Sequence, residues 1–508
     1  MSWHSDVLVI GSGSAGLICA LALAEKGKRV IVATKDAVTE SSSAYAQGGI
    51  AVPLLEEDSI EAHVQDTLQV GAGYCQEEVV RSYIGQIKPC IERLAVWGMP
   101  FSGYEQGRVK IESLGLEGAH SHRRILKVGS DLTGRSLMKI LWELACRNPF
   151  ISISQGTSLV DLALTQDRKR CLGAYFQDIN NNLFALAARA TVLATGGFSS
   201  LYAHSTNPTV ITGDGLAAAI RAGCMVKDLE FVQFHPTVLK HKSHFLLSEA
   251  LRGEGALLLN SQGERFMERH DPERQELASR AVVSRAVWEQ EQQGEQVYLD
   301  LSFRGELFLK SKFEGIYNFC KSYGFDLATG AVPITTAAHY TIGGVEVDSE
   351  ASSRLQGLWA TGEVSCTGLH GADRLASNSL LECIVSAFIA ADNIDQKVPD
   401  LIETHSETIE NRVYSPPKTD FSESELMNFR GQIREMVWRY ASFQRNQENI
   451  QELQAGLAQL RQKLGLDEEH RVYANPLMNE LSNVLLVADR LSKAIKDRKS
   501  SLGVHKWN

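Results

Sequence analysis

Nine cysteines are scattered through 508 residues without one Cys-x-x-Cys pair. That spacing supports no disulfide framework, zinc site or iron–sulfur cradle. No apolar run approaches the roughly 18 residues that would span a bilayer. A basic surplus is also missing: 51 Lys and Arg stand against 61 Asp and Glu, a net charge of -10. This argues against a nucleic-acid partner. The N-terminal residues run straight into a strand, so we expect no signal peptide and a cytoplasmic location. Hydrophobic residues make up 44% and charged residues 22%, too apolar for a disordered chain. At about 100–200 residues per domain, the length predicts several domains.

What is present begins with a βαβ unit. Residues 6–10 (DVLVI) read as a buried strand, short and β-branched. Gly11-Ser12-Gly13-Ser14-Ala15-Gly16 follows, then an Ala/Leu-rich stretch to Lys26 that predicts a helix. Residues 29–33 (RVIVA) read as the second strand. The dinucleotide fingerprint therefore stands in its expected context. Gly11 permits the tight turn, Gly13 lets the backbone approach a pyrophosphate, and Gly16 allows close helix–strand packing. The helix N-terminus offers free N–H groups and a positive dipole end. The pattern fits NAD, NADP or FAD alike. No acid ends the second strand, where Thr34 and Lys35 stand, so a ribose-binding carboxylate is not evident.

Residues 190–197 (ATVLATGG) and 357–363 (GLWATGE) each read as a strand ending in a glycine turn. Two such returns suggest one nucleotide domain interrupted by an insertion at 229–340. The expected division is 1–228 and 341–404 for the two parts of that domain, and 405–508 for a helical tail. Residues 405–418 read as a linker. In the tail, Ser422 and Glu425 have capping-box spacing ahead of Leu426, Phe429, Ile433 and Val437. Leu453, Leu457, Leu460 and Leu464 predict a second helix, and Leu477 to Leu491 a third. Lys493, Lys496, Arg498, Lys499 and Lys506 read as a solvated basic end.

After the second strand comes Ser41-Ser42-Ser43-Ala44-Tyr45-Ala46-Gln47-Gly48-Gly49, small enough to meet a flat ring or a phosphate. Further clusters are Phe231 to Pro236 with His235, Ser248 to Gly255 with Arg252, Arg280, Ala337 to Thr341 with His339, and Gly371 to Glu382 with Arg374. Singly, each histidine reads as a structural residue and each arginine as a surface ion pair. Together they supply what a small dicarboxylate needs: forked guanidinium donors, with imidazole and hydroxyl to fix orientation. No Ser-His-Asp or Cys-His order and no metal-ligand spacing is evident, so chemistry must come from a bound cofactor.

GSGSAG, the AQGG loop, QFHP, ALRGEG, AHYTIGG, ATGE and GADRLASNSLLE together resemble the flavoprotein family of succinate dehydrogenase and fumarate reductase, and within it the L-aspartate oxidase branch. The resemblance covers nearly the whole chain. It implies an α/β FAD-binding Rossmann-like domain interrupted by an α+β capping domain and followed by a C-terminal helical domain. It implies FAD along Gly11 to Gly16, Lys35, Ser42 to Gly49, Asp214, Glu363, Ser379 and Leu380. In the membrane-complex members a histidine attaches the flavin. Ser42 stands there in this chain, so FAD should be noncovalent.

The resemblance further implies that His235, Ser248, Arg252, His339 and Arg374 bind two substrate carboxylates. Glu117, in Leu116 to Ile125, would face the substrate amino group, which succinate lacks. Arg280 matches the family's proton donor and acceptor, although a guanidinium is a poor base at neutral pH. The implied reaction oxidises L-aspartate to iminoaspartate. The acceptor is O2, giving H2O2, or fumarate, giving succinate. This is the first step of NAD biosynthesis through quinolinate, with a hand-over to quinolinate synthase left open. Two rivals remain: a soluble fumarate reductase or succinate dehydrogenase flavoprotein, and a non-catalytic FAD subunit that docks to an electron-transfer or tRNA-modifying partner. The tail departs from the family, with Leu502 ahead of Gly503-Val504-His505, which leaves its docking unassigned.

Overall fold

The structure, a computed structural model, describes residues 4–105, 107–129, 132–398, 414–415, 421–466, 472–473 and 475–508. Ser5–Ile10 is the central strand, with Val7 to Ile10 almost wholly removed from water. It lies parallel to Val30–Thr34 on one side and to Leu183–Leu193 on the other. Ile151–Gln155 extends the sheet beyond Val30–Thr34, and Leu358–Ala360 adds to Leu183–Leu193, both parallel. The glycine returns at 190–197 and 357–363 thus end neighbouring strands. Leu183–Leu193 is long enough for two tasks. Its second half joins the parallel sheet, while its first half pairs antiparallel with Cys171–Gln177. Ser158–Leu164 completes that meander.

The fingerprint helix runs Ser14–Glu25, so it stops one residue short of the expected Lys26. Every residue in it except Glu25 is buried. That explains its Ala/Leu composition. One face meets the sheet, and the other meets the helix Asn378–Lys397, whose first turn ends the Gly371 to Glu382 cluster. Burying Leu17, Ile18 and Leu23 completely is worth about 1.5–3 kcal/mol each.

Between the two parts of this fold lies a four-stranded antiparallel sheet, ordered Val232–Leu239, Val332–Thr341, Val297–Asp300, Leu257–Leu259. Arg280–Gln292 packs against its first strand. This segment has a core of its own, including Leu251, Leu258, Phe266, Val287, Leu299 and Ile316. Its first two strands bring His235 and His339 side by side, because Val232–Leu239 pairs with Val332–Thr341. The two rings lie 5.0 Å apart.

Among the described residues the tail holds three helices, Glu423–Ala441, Gln447–Leu464 and Pro476–Asp497. Ser422 and Glu425 form the capping box, and Leu426, Phe429, Ile433 and Val437 face inward. Of the proposed linker, only Tyr414–Ser415 lies within the described residues, as a strand parallel to Val472–Tyr473. Among the described residues, no helix is long and apolar enough to cross a membrane.

One charge assignment needs correction. Arg498 is not a solvated terminus. It is ion-paired with Glu230 and Asp228, and its guanidinium covers the rings of Tyr74 and Phe231. The tail docks beside it. Val504 N–H donates to Ala372 O at 3.0 Å, and the buried His505 meets Arg445 NH1 at 2.9 Å.

Candidate functional site

The glycine turn opens onto a deep cavity at the carboxyl ends of the parallel strands, where ligands bind in open α/β sheets. Its wall includes Gly11, Ser12, Gly13, Ser14 and Ala15, then Lys35, Ser42, Ser43 and Tyr45 to Gly49. Asp214, Glu363, Ser379 and Leu380 complete that part. Gly16 and Ala44 do not line it. Gly16 lies behind the turn, where a methyl group would collide with Gly11 O, so its role is packing. Gly11 adopts φ +112 with its α-carbon against Ala194 O, a place only glycine can fill.

Several buried polar atoms on this wall lack a partner among the described residues: Ser42 Oγ, Gln47 Oε1, Thr195 Oγ1 and Thr361 Oγ1. Buried polar groups are nearly always paired, so such a row calls for a ligand with polar edges. The N-termini of Ser14–Glu25 and Asn378–Lys397 both reach the cavity, and neither has a side-chain cap. These features fit a dinucleotide such as FAD. At the outer rim, Lys35 Nζ donates to Asp214 at 2.9 Å and to Glu480 at 2.6 Å. Burial opposes the Lys35 charge, but the two carboxylates outweigh it and raise its pKa. Glu480 sits on the last helix, which no local pattern ties to this site.

The same cavity also meets Glu117, His235, Ser248, Glu249, Arg280, His339 and Arg374. The structure thus brings together most of the expected substrate residues. Arg252 is the exception, and we correct its placement. It does not reach the cavity wall. It is buried behind Glu249, ion-paired to Glu249 Oε1 at 3.1 Å, and it also donates to Glu276 O. Glu249 was passed over in the sequence, although it stands three residues from Arg252. It accepts from Arg280 Nε at 2.7 Å, so it bridges the two arginines. Arg280 NH1 donates to Gln233 Oε1 at 3.1 Å. Thr206 and Asn207 were also unforeseen. Thr206 Oγ1 meets His339 Nδ1 at 2.8 Å.

The electrostatics divide the carboxylates. Glu117 is 3% exposed, and burial raises its pKa, with the neighbouring Glu249 charge adding to the shift. Glu249 is equally buried, but Arg252 and Arg280 overcome the burial and lower its pKa. Burial holds His235 and His339 well below the ordinary imidazole value, with Arg280 reinforcing the effect, so both rings are neutral. His235 Nδ1 accepts from Thr237 N–H at 3.2 Å, which leaves the proton on Nε2. Arg374 lies over the Tyr340 ring at 4.4 Å. Burial lowers Arg374 to about 10, so it stays charged at neutral pH.

Glu117 is not an exposed loop acid, because its loop is anchored from within. Arg124 is 0% exposed. Its Nε and NH2 grip Asp58 at 2.9 and 2.8 Å, and its NH1 reaches Asp66 at 2.7 Å. Replacing Arg124 by Leu strands both carboxylates. We expect a loss of about 3–5 kcal/mol, read as a lower urea midpoint at unchanged slope.

The FAD binding domain family model matches residues 6–380. The chain is 40% identical to the L-aspartate oxidase of Pseudomonas aeruginosa, across 99% of this chain and 96% of that protein. It is 41% identical to the L-aspartate oxidase of Vibrio cholerae, across 98% and 94%. Among solved structures, a variant of the E. coli quinol fumarate reductase superposes with TM-score 0.86 at 27% identity, covering 99% of this chain and 91% of that one. Mycobacterium smegmatis Sdh1 in complex with UQ1 gives 0.83 at 27%, covering 100% and 89%. These matches run the length of the chain, beyond its nucleotide-binding part, and the chain therefore belongs to the L-aspartate oxidase family of FAD-binding proteins.

Proposed function

We propose that this protein oxidises L-aspartate to iminoaspartate, with noncovalent FAD and with O2 or fumarate as electron acceptor. The observation that carries the reading is Glu117, a buried carboxylate on the wall that also holds Arg280, Arg374, His235 and His339. A plain dicarboxylate has no use for a third acid there, whereas an amino dicarboxylate brings an ammonium to meet it. The family relation agrees with this reading. The proposal also covers a cytoplasmic enzyme whose inserted segment 229–340 caps the site.

FAD, when bound, supplies the two-electron acceptor. It would lie along the glycine turn, Lys35, Ser42 to Gly49 and Ser379. The chain's own residues hold the substrate. Arg374 and Arg280 offer charged donors to the carboxylates, and the neutral His235 adds its Nε2–H. Glu117, once ionised, takes the ammonium. Burial of Glu117, His235, Arg280 and Arg374 keeps water from this part of the wall and strengthens each contact. Arg280 Nε donates to Glu249 Oε2, and Glu249 also contacts Arg252. A proton given up by Arg280 can be replaced along that bridge, which eases the objection to an arginine as acid or base.

Anaerobic mixing of the flavin-loaded protein with L-aspartate should bleach the visible flavin absorbance, while succinate should not. Bleaching by succinate alone would move the protein to the dicarboxylate dehydrogenases. A pH dependence follows from Glu117. Its raised pKa means that the ammonium partner is lost as pH falls through a range above the usual carboxylate value. The kcat/KM for L-aspartate should therefore show an acid limb displaced above the pKa of an ordinary glutamate. The two histidines, being held neutral, should add no limb near 6.5. An acid limb at or below the pKa of an ordinary glutamate would contradict the assignment.

A further inference from the structure

Ser377 stands between Arg374 and the helix Asn378–Lys397, and its backbone has φ +61 and ψ -1. That is the left-handed region, which residues other than glycine, asparagine and aspartate rarely occupy. Ser377 is also the N-cap of the helix, where a serine normally accepts from a backbone N–H of the first turn. It makes no such bond. The usual local reasons for a serine are therefore absent at a position whose backbone favours glycine. Instead its hydroxyl donates to Glu117 Oε2 at 2.7 Å, and the residue is 7% exposed.

Gly48 packs against both the Glu117 carboxylate and the Ser377 hydroxyl. A methyl group there would collide with Glu117 Oε1 and stand 3.1 Å from Ser377 Oγ. One carboxylate oxygen thus accepts from a hydroxyl, and the other lies against bare backbone with no room for a side chain. A hydrogen bond to the ionised form opposes the upward pressure of burial and Glu249 on the Glu117 pKa. Backbone held in a rare conformation beside a functional group points to a role for the side chain it carries.

We infer that Ser377 is a positioning residue for amino-acid specificity: its hydroxyl fixes the plane of the Glu117 carboxylate so that the remaining lone pairs meet the substrate ammonium. The inference rests on the reading of Glu117 as the ammonium partner. It concerns discrimination between L-aspartate and dicarboxylates without an amino group. It assigns Ser377 no contact with substrate carboxylates.

Two substitutions separate the hydroxyl from the backbone. Ser377→Gly deletes the hydroxyl and relaxes the left-handed turn, so this variant should melt no lower than the parent. Ser377→Ala deletes the hydroxyl and keeps the strain. In the flavin-loaded enzymes, both should lose about tenfold or more in kcat/KM for L-aspartate, beyond any loss in fumarate reduction driven by a reduced dye. In both, the acid limb of the L-aspartate profile should move to higher pH. The inference is overturned if Ser377→Gly keeps the parent's L-aspartate activity, if both substrates lose equally, or if the acid limb stays in place. Failure of the unsubstituted enzyme to oxidise L-aspartate would instead overturn the functional reading itself.

Discussion

An Arg280→Lys enzyme is expected to load FAD normally and to lose about 10²–10³-fold in kcat, for L-aspartate oxidation and for fumarate reduction alike. The reason is geometric. Arg280 begins the helix Arg280–Gln292, and two of its guanidinium nitrogens are fixed by Glu249 and Gln233 at 2.7 and 3.1 Å. A lysine ammonium is a single point and cannot hold both acceptors while facing substrate. It also leaves one buried acceptor unpaired beside Glu249. Both half-reactions, oxidation of L-aspartate and reduction of fumarate, use the same charged group at the same place, so both should suffer. Turnover and KM measured together decide the matter. A loss confined to KM, with kcat preserved, would make Arg280 a binding residue and end its role in proton movement.

A Glu117→Gln enzyme is expected to separate the two substrates. Its kcat/KM for L-aspartate should fall by about 10²–10³-fold, the cost of leaving a desolvated ammonium without its charged partner. Fumarate carries no ammonium, so its reduction by a dye-reduced enzyme should fall far less. The substitution also removes the like-charge contact with Glu249 and keeps an acceptor for Ser377. A gross loss of structure is therefore not expected. The acid limb assigned to Glu117 should disappear with the carboxyl group. Equal losses in the two assays would return Glu117 to a structural role and favour the dicarboxylate dehydrogenase reading.

The nucleotide half of the fold was legible because its signals are local. Gly11, Gly13 and Gly16 sit between a β-branched strand and an Ala/Leu-rich helix, and each glycine answers a steric demand that a short window reveals. The tail helices were legible for the same reason: Leu426 to Val437 carry their period and their capping box within one stretch. The site was less legible. In the sequence the Ser248 to Gly255 run points to Arg252, because a guanidinium suits a carboxylate. The strand pairing and the short helix Ala250–Gly253 put Glu249 on the wall and Arg252 behind it. That order depends on which way a single turn faces, and residue types do not record it. Ser377 looked like one hydroxyl among several in a serine-rich run, since a left-handed backbone leaves no mark in the sequence. Arg498 looked solvated because its partners Asp228 and Glu230 lie far away along the chain. Lys35 drew attention as a cofactor residue, but Glu480 comes to it from the last helix, and only tertiary folding makes that pair visible.

The strand order of the central sheet sets a timetable for synthesis. Ser5–Ile10 emerges from the ribosome early, yet its neighbour Leu183–Leu193 follows only after the first helical hairpins, and Leu358–Ala360 later still. The early βαβ unit must therefore wait, with one edge of its first strand unpaired, until Leu183–Leu193 is made, and that strand in turn waits for Leu358–Ala360. Such long-separation pairings fold slowly and leave edges open to wrong partners. The wall that meets the cofactor needs Ser379 and Leu380, and its rim needs Glu480. A nascent chain has no completed cleft to load, so flavin capture belongs to the finished polypeptide. Cells short of flavin should then accumulate full-length apoprotein that lacks the stabilisation ligand binding confers. Chaperones and proteases would meet the flavin-free molecule at that stage and not during elongation.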